Sequence, residues 1–298
     1  MGQWGAAHCG QASQSHQLRG GAARHCFSSL SAGAPDRSMT SSSSDFLGVT
    51  GRTALVTGGA RNIGRACALR LASAGVRVVI GDLLADEAEQ TAHDIEAAGG
   101  QALGCALDIA DRASVEACVA QGRERFGRID MLVNNAALFS ALGYQDFDQI
   151  PFEEWDRVIH TNITGSFHCI RAVSPDMKAG RWGRIVNVSS GTYRMGRPHF
   201  LHYVTSKASL AGMSRSLARE LGAFGVTVNT VLPGVVLHGL QSSRLPDSYK
   251  QMILNMQCIA EPLDCDAIAN AVAFLCSEAA RFITGQELAI DGGLTHGG

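Results

Sequence analysis

The sequence predicts an α/β fold, a doubly wound sheet of seven parallel strands with helices on both faces. Short apolar, β-branched segments alternate with longer segments of helix-forming residues from about residue 50 to the end of the chain. Such alternation favours a parallel sheet that helices cover on both sides. The length agrees, because 298 residues with 46% hydrophobic content can form one α/β domain of about 250 residues. We therefore expect a single domain over residues 46–298.

The elements follow in a regular order along the chain. The predicted strands are Thr53–Thr57, Arg77–Asp82, Ala102–Leu107, Ile129–Val133, Arg184–Val188, Thr227–Val231 and Glu287–Ile290. The clearest helical segments are an Ala-rich one that ends near Ala74, one over Phe152–Arg171, and one over Ser206–Leu221. Apolar residues at mixed spacing between Val235 and Pro262 predict a partly helical lid. Right-handed crossovers then place a ligand crevice where the strand order reverses.

A glycine-rich turn follows the first strand. Residues 57–64 read Thr-Gly-Gly-Ala-Arg-Asn-Ile-Gly and lead directly into a helix. Glycines let the backbone approach a pyrophosphate closely, and a helix amino terminus supplies unpaired N–H groups. Asp82 ends the second strand eighteen residues after Gly64, about where a ribose-binding acid is expected. The pattern predicts a dinucleotide site, and the alternative is a tight turn with a chance surface acid.

Tyr203 and Lys207 lie four residues apart and therefore share a helix face. A phenol has a pKa near ~10, and a neighbouring cation favours phenolate, which would bring Tyr203 into the range of a general base. Ser190 ends a buried strand thirteen residues earlier, and Asn162 interrupts a helical segment. These residues together predict one catalytic cleft. Alone, the Tyr–Lys spacing favours the alternative of a buried tyrosine beside a solvated lysine.

With these motifs, the sequence resembles the short-chain dehydrogenase/reductase family over roughly Gly51 to Leu294. The turn at residues 57–64 resembles the family's Thr-Gly-x-x-x-Gly-x-Gly, and residues 134–137, Asn-Asn-Ala-Ala, resemble its Asn-Asn-Ala-Gly. Asp108 resembles its adenine-contacting acid, and Pro233 begins a bend like the one that closes over the nicotinamide. Ile-Thr-Gly-Gln at 283–286 and Asp-Gly-Gly at 291–293 resemble its carboxyl-terminal signature.

The resemblance implies a Rossmann-type fold and a nicotinamide-dependent oxidoreductase that interconverts a secondary alcohol and its ketone. The implied catalytic residues are Asn162, Ser190, Tyr203 and Lys207. The implied cofactor contacts are Gly58, Arg61, Asn62, Ile63, Gly64, Asp82, Asp108, Ile109, Asn135, Ala136, Tyr203, Lys207, Pro233, Gly234 and Val236. Lys207 would also hold the nicotinamide ribose, and Asn162 would order a water that links Lys207 to solvent. A homo-oligomer, tetramer or dimer, is implied through the helices of Asn162 and Tyr203.

Three positions depart from the family pattern. Asn62 replaces the middle glycine of the turn, which is tolerable because asparagine adopts positive φ more readily than other non-glycine residues. Ala137 replaces a glycine and is expected to narrow the floor of the cleft. His238 stands about where relatives carry a threonine that holds the nicotinamide carboxamide. Because of this last substitution, the sequence does not predict which residue holds the nicotinamide carboxamide.

Two residues make opposite predictions about the cofactor. Arg61 stands where relatives that use NADP carry a base, whereas Asp82 would accept two ribose hydroxyls and repel a 2′-phosphate. We expect Asp82 to determine which cofactor binds, and we therefore predict NAD. An NADPH-dependent reductase of the 3-oxoacyl-carrier-protein type is the alternative, although a basic residue would then be expected in place of Asp82 and Leu83. A non-catalytic dinucleotide sensor would have no need of the Tyr, Lys, Ser and Asn.

The predicted substrate is a neutral, hydrophobic secondary alcohol or its ketone. Apolar and aromatic residues are expected to line the cleft: Leu138, Phe139, Tyr193, Met195, Phe200 and Leu237, with Met252 and Met256 on the lid. Three arginines, Arg194, Arg197 and Arg244, are close enough in sequence to argue for an anionic substrate instead.

Composition limits the partners. A net charge of −2 and a pI near 6.5 give no basic surface for nucleic acid or anionic membrane, and no apolar run reaches the ~18 residues of a membrane span. Nine scattered cysteines without metal-ligand spacing favour reduced thiols, no metal, and a cytoplasmic location. Residues 1–45 lack any acid before Asp36 and have no apolar periodicity, so we expect a disordered extension. The alternative is a mitochondrial transit peptide within residues 1–38.

Overall fold

Seven parallel strands form one sheet in the order β3-β2-β1-β4-β5-β6-β7. The computed structural model describes residues 47–237 and 245–296. The strands are β1 Thr53–Thr57, β2 Arg77–Asp82, β3 Ala102–Ala106, β4 Met131–Asn134, β5 Gly183–Val188, β6 Val226–Pro233 and β7 Glu287–Ile290. The predicted Rossmann-type fold is confirmed. The expected extension over residues 1–45 lies outside the described residues, as do His238 and Arg244.

Eight α-helices connect these strands within the described part of the chain. They are α1 Asn62–Ser73, α2 Ala85–Ala97, α3 Arg112–Phe126, α4 Phe152–Ile159, α5 Gly165–Gly180, α6 Leu201–Leu221, α7 Asp247–Met256 and α8 Cys265–Leu275. Two 3₁₀ turns cover Phe147–Gln149 and Gly222–Phe224, and a π-helical turn covers His160–Thr164. None of the helices described is both long and apolar enough to cross a membrane.

The sheet is buried on both faces, which explains why its strands read as continuous apolar runs. Ala54 and Val56 of β1 face one hydrophobic cluster with residues of α1, α2 and α8. Leu55, between them, faces a second cluster with residues of α3, α5 and α6. Successive side chains of a strand point to opposite faces, so one short strand stabilises both layers.

Several element boundaries differ from the prediction, and three of these differences concern the cleft. Helix α6 begins at Leu201, five residues earlier than expected, so that Tyr203 and Lys207 are both helical. The segment predicted as one helix over Phe152–Arg171 is divided by the π-helical turn, and Asn162 lies in that turn. Strand β6 extends to Pro233, which pairs with Ile290 at the carboxyl end of β7.

The strand order reverses between β1 and β4. Strand β1 is hydrogen-bonded to β2 on one side and to β4 on the other. The helical connections therefore leave this point in opposite directions, and a crevice opens at the carboxyl ends of β1 and β4. The predicted lid contains one described helix, α7, which buries Ile253 and exposes 45% of Met252 and 51% of Met256.

Candidate active site

The glycine turn between β1 and α1 adopts a backbone that only small residues allow. Gly58 has φ +63°, and a Cβ there would lie 2.9 Å from Cα of Ala136. Asn62 has φ +47°, the left-handed conformation that its sequence position predicted. Arg61 at the N-cap of α1 makes no side-chain capping hydrogen bond, so its side chain does not satisfy the first N–H groups of the helix. This arrangement fits a bound pyrophosphate, with Asn62, Ile63 and Gly64 supplying the helix terminus.

Asn135 and Ala136 hold the turn against the end of β4. The Asn135 Nδ2 donates to the carbonyl oxygens of Thr57 and Gly58, at 3.0 and 2.9 Å. The Thr57 hydroxyl oxygen accepts the N–H groups of Asn135 and Ala136, both at 3.0 Å. Both residues predicted as cofactor contacts therefore also shape the turn, through bonds that tie β1 to β4.

The end of β2 carries the acid predicted to bind a ribose. Asp82 Oδ2 accepts the N–H of Ala60 in the glycine turn at 3.0 Å, and its Oδ1 accepts the N–H of Leu84 at 3.1 Å. These bonds hold the carboxylate beside the turn. Arg61 forms a bidentate ion pair with Glu87 of α2, and this pairing raises the pKa of its guanidinium, with help from Asp82.

The loop after β3 contains the predicted adenine contacts. Asp108 Oδ1 accepts the N–H of Ala110 at 2.9 Å, which gives the loop a tight turn. Ile109 is buried, and its carbonyl oxygen lies 3.1 Å from Nδ1 of His168. The Ala110 carbonyl oxygen lies 3.1 Å from Nε2 of His160. Two histidines therefore connect this loop to the helical segment that carries Asn162.

The structure brings Ser190, Tyr203 and Lys207 together at the carboxyl end of β5. Helix α6 presents Tyr203 and Lys207 one turn apart, with the ammonium 5.7 Å from the phenol ring centroid. The Ser190 Oγ accepts the N–H and the hydroxyl of Thr192, at 3.2 and 3.0 Å. Its own hydrogen is then free to donate, and Ser190 hydrogen-bonds the phenol of Tyr203.

Lys207 is buried, and two hydrogen bonds join it to β5 and to the residue that follows this strand. Its Nζ donates to the carbonyl oxygen of Val188 at 2.8 Å, and its own carbonyl oxygen accepts the Ser189 hydroxyl at 2.7 Å. Burial lowers the pKa of Lys207 to about 8. The alternative of a solvated lysine beside a buried tyrosine is therefore wrong.

Burial also controls Tyr203. Desolvation raises the pKa of the phenol above its usual value, and the hydrogen bond from Ser190 opposes this shift. The sequence led us to expect that Lys207 would lower this pKa, whereas in this conformation burial dominates and the net shift is upward. The reason is that a desolvated phenol resists ionisation.

Asn162 is fully engaged with its protein surroundings. Its Oδ1 accepts the N–H of Leu138 at 2.7 Å, and its Nδ2 donates to the Leu138 carbonyl and to the Ser206 hydroxyl, at 3.3 and 3.0 Å. Because Asn162 lies in the π-helical turn, its side chain contacts both α6 and the loop after β4. Asn162 therefore holds Leu138 in place, the residue immediately before Phe139.

A buried chain of polar side chains holds α6 against the sheet beneath Tyr203. Asn134 of β4 donates to Asn187 of β5 at 2.9 Å, and Asn187 donates to Ser214 of α6 at 2.8 Å. Ser214 in turn lies 2.7 Å from the hydroxyl of Thr230 on β6. Buried polar groups with partners specify one packing arrangement, so this chain sets the position of the helix that carries Tyr203.

The bend after β6 lies against the loop of Ser190 and the end of β7. Pro233 accepts the N–H of Gly191 at 2.9 Å, which joins the bend to the Ser190 loop. A Cβ at Gly234 would lie 2.8 Å from Cβ of Asp291, so this close approach requires glycine. Val236 forms an isolated parallel bridge with Leu263. His238, two residues further on, lies outside the described residues.

Aromatic rings form a wall beside the phenol. The ring of Tyr203 lies 4.8 Å from that of Phe200 and 5.1 Å from that of Phe139, measured between centroids. Tyr144 extends this wall, 4.8 Å from Phe200. Sequence reasoning missed Tyr144, because its position in a long loop carries no periodic signal. The predicted aromatic lining by Phe139 and Phe200 is therefore adjacent to the phenol.

Arg197 joins the wall to the lid. Its guanidinium carbon lies 4.7 Å from the ring centroid of Tyr144 and 5.3 Å from that of Tyr249 on α7. Its Nη1 donates to the Tyr249 hydroxyl at 2.5 Å. No carboxylate pairs with Arg197 among residues 47–237 and 245–296. The position of this cation is thus determined by two tyrosines.

Glu287 of β7 organises the loop after Ser190. Its carboxylate accepts the hydroxyl of Tyr193 and pairs with Arg194 and Arg215. Desolvation raises the pKa of this carboxyl. Tyr193, predicted as a cleft-lining residue, therefore directs its hydroxyl to β7, and Arg194 pairs with the same carboxylate there. Sequence reasoning missed Glu287, because almost a hundred residues separate it from the loop it binds.

Two other features lie apart from this cleft. A shallow cavity of about 640 Å³ opens at the amino ends of the strands, lined by Arg52, Arg77, Arg128 and Asp130, and it includes none of the predicted site residues. The cysteines of the described residues are free thiols, and burial raises the pKa of Cys276 to about 12. The described residues contain no cluster of metal-ligating side chains.

Comparison with known proteins agrees with this arrangement. A family model described as enoyl-(acyl carrier protein) reductase matches residues 58–295. A hydroxy(phenyl)methylsuccinyl-CoA dehydrogenase subunit, BbsD of Thauera aromatica, is 38% identical over 83% of this chain and 98% of its own length. The 3-oxoacyl-(acyl-carrier-protein) reductase FabG of Escherichia coli (strain K12) is 38% identical over 82% of this chain and 97% of its own. FabG of Staphylococcus aureus (strain N315) is 37% identical, with 82% and 98% coverage.

All three relatives are oxidoreductases by name, and the fold and matched residues define this chain as an oxidoreductase too. It belongs to the short-chain dehydrogenase/reductase family, whose members bind a nicotinamide dinucleotide. The resemblance inferred from the sequence motifs is confirmed.

Proposed function

We propose that this protein is an NAD-dependent oxidoreductase that interconverts a neutral, hydrophobic secondary alcohol and its ketone. The observation that carries the proposal is the convergence of Ser190, Tyr203 and Lys207 at the carboxyl end of β5, beside the wall formed by Phe139 and Phe200. A proton-transfer group, a hydroxyl donor and a cation thereby meet one apolar surface.

In the proposed mechanism, the alcohol oxygen binds between the hydroxyls of Ser190 and Tyr203. A bound nicotinamide supplies the acceptor for the carbinol hydride. Tyr203, as phenolate, takes the hydroxyl proton, and Ser190 donates a hydrogen bond to the negative charge that develops on the oxygen. Lys207 stabilises the phenolate electrostatically, and the bond from Nζ to Val188 fixes the direction of that ammonium.

In this proposal, Asn162 acts by positioning other residues of the site. Its bonds to Leu138 and Ser206 hold the start of the aromatic wall next to α6. The water between Lys207 and solvent, which the family resemblance implies, remains part of the proposal. The predicted cofactor contacts at residues 58–64, 108–109, 135–136 and 233–236 would hold the dinucleotide along the crevice.

The choice of NAD rests on Asp82. Its carboxylate stands at the end of β2, held by the N–H groups of Ala60 and Leu84. It would accept the two hydroxyls of an adenosine ribose and repel a 2′-phosphate. We further propose that the protein works in the cytoplasm as a homo-oligomer, a tetramer or dimer.

A second candidate is a reductase that acts on acyl groups carried by a thioester. The relatives named FabG and BbsD act, by their printed names, on an acyl-carrier-protein or a CoA derivative. Arg197, which lacks a carboxylate partner among the described residues, is the observation in this chain that favours an anionic substrate.

A kinetic comparison separates the two candidates. The purified protein is assayed with NAD and NADP against matched pairs of secondary alcohols that differ only in a neutral or an anionic substituent. We expect higher kcat/KM for the neutral member and for NAD. A preference of tenfold or more for the anionic member, abolished by Arg197→Ala, would support the thioester-type candidate and contradict the neutral-substrate proposal.

A further inference from the structure

The ion pair between Arg61 and Glu87 lies beside the proposed adenosine site. Arg61 immediately precedes α1, and Glu87 lies in the first turn of α2. The guanidinium contacts one carboxylate oxygen through Nε and the other through Nη2, the bidentate geometry that matches its planar fork. That edge of the guanidinium is therefore already occupied by a protein carboxylate.

Asp82 places a second negative charge at the same point. Its carboxylate interacts electrostatically with the guanidinium of Arg61, and it is tied to Ala60, the residue before Arg61. One positive and two negative side chains, Arg61, Asp82 and Glu87, thus share the edge of the crevice. Their sum is net negative.

We propose that Glu87 is a specificity-determining residue, which engages Arg61 and so prevents this arginine from receiving a 2′-phosphate. The inference rests on the proposed use of NAD. Without the Glu87 carboxylate, the guanidinium of Arg61 would be free to bind a phosphate, and the local net charge would rise from negative to zero. Arg61 would then favour a phosphate at the 2′ position of the ribose, while Asp82 would favour a hydroxyl there. When the ion pair between Arg61 and Glu87 is intact, only Asp82 acts on this position.

Binding measurements test the proposal without a substrate. The full chain and its variants are titrated with NADH and with NADPH, with nucleotide fluorescence as the signal. Glu87→Gln keeps the side-chain shape and removes the charge. We expect NADPH to bind at least ~10-fold more tightly to this variant than to the wild type, with NADH almost unchanged, since charge-assisted bidentate pairs to phosphate are strong.

Two further variants control the result. In Glu87→Gln/Arg61→Ala the gain for NADPH should disappear, because the cation that would receive the phosphate is gone. Glu96→Gln removes an exposed carboxylate from the other end of α2 and should leave the ratio of the two dissociation constants unchanged. Circular dichroism and thermal midpoints confirm that each variant is folded.

The outcomes distinguish this inference from the proposed function. An unchanged ratio in Glu87→Gln would overturn the role of Glu87, and a gain that survives Arg61→Ala would overturn the pairing as its cause. The wild-type ratio tests NAD dependence separately: tighter binding of NADPH by the wild type would contradict that proposal, while the change on mutation would still decide the role of Glu87. A wild type that binds neither nucleotide would contradict both.

Discussion

At the scale of single residues, Tyr203 and Lys207 share a buried environment that disfavours both of their charged forms. Desolvation raises the pKa of the phenol and lowers that of the ammonium to about 8. Ser190 alone opposes the shift of the phenol. A phenolate here therefore depends on the hydrogen bond from Ser190, and the proposed mechanism adds the nearby ammonium of Lys207. This dependence makes the two positions informative to change separately.

Replacing Tyr203 with Phe should abolish most turnover and leave the fold intact. The ring packing against Phe139 and Phe200 is retained, and only the hydroxyl is lost. General acid/base catalysis contributes about 10²–10⁴-fold, so kcat should fall by that factor while cofactor affinity stays nearly constant. Steady-state kinetics and cofactor titration measure the two quantities. Wild-type rates in Tyr203→Phe would refute the proposed mechanism.

Lys207 has a consequence for stability as a function of pH. Its folded pKa of about 8 lies below the ordinary value of 10.5, so the unfolded chain binds more protons between these values. The free energy of unfolding should therefore rise with pH through this window, by about 1.4 kcal/mol per pH unit from this group. Below pH 8 the contribution is constant, because Lys207 is then protonated in both states.

Lys207→Met isolates this contribution. Denaturant unfolding of the wild type and the variant at several pH values should show that the wild type gains stability relative to Lys207→Met between about pH 8 and 10. Groups that titrate in both proteins cancel in the difference. Parallel pH profiles for the two proteins would show that Lys207 is not desolvated as described.

At the scale of elements, β7 controls the loop that carries Ser190. The carboxylate of Glu287 accepts the hydroxyl of Tyr193 and pairs with Arg194, both in that loop, and it also pairs with Arg215 of α6. One carboxylate thereby joins an edge strand, the catalytic loop and the helix of Tyr203. Charge-assisted hydrogen bonds to a largely buried carboxylate are stronger than neutral ones, so the loop depends on its charge.

Glu287→Gln should lower both stability and turnover. Leaving Arg194 and Arg215 without their carboxylate should cost about 1–3 kcal/mol, which corresponds to a decrease in Tm of about 2–10 °C. A looser Ser190 loop should lower kcat more than it raises KM. Glu261→Gln, which changes an exposed carboxylate, is the matched control and should leave Tm unchanged. Equal Tm values for the two variants would contradict the role of Glu287.

At the scale of the whole molecule, the sheet brings together residues that are far apart in sequence. The carboxyl ends of β1, β2, β4, β5 and β6 deliver the glycine turn, Asp82, Asn135, Ser190 and Pro233 to one side of the sheet. The sequence of residues 1–45 has no apolar periodicity. We propose that the domain over residues 46–298 is sufficient for stability and catalysis.

Deletion of residues 2–44 tests this proposal. Tm and activity of the truncated protein should match those of the full chain, because a segment without apolar periodicity has little surface to bury. A decrease in Tm on truncation would show that the segment packs on the domain. A reporter fused to residues 1–38 tests the transit-peptide alternative separately, since import into mitochondria would contradict the cytoplasmic proposal.

The sequence by itself determined the seven strands, to within a few residues at their ends, the parallel sheet and the shared helix face of Tyr203 and Lys207. Strands buried on both faces are continuous apolar runs, and the glycine turn follows from backbone conformations that few residues adopt, as Gly58 and Asn62 show. Tyr203 and Lys207 were predictable because a spacing of four residues places two side chains on one helix face. These are local constraints, so local patterns reveal them.

Only the tertiary structure decided which charges are paired and which are desolvated. The partner of Arg61 is Glu87 on another helix, and that of Arg194 is Glu287 on the last strand. The raised pKa of Tyr203 depends on burial by segments from several parts of the chain. Electrostatic energies depend on distance and on exclusion of water, and neither is set by sequence separation. Interactions of this kind emerge only when the sheet has brought its ends together.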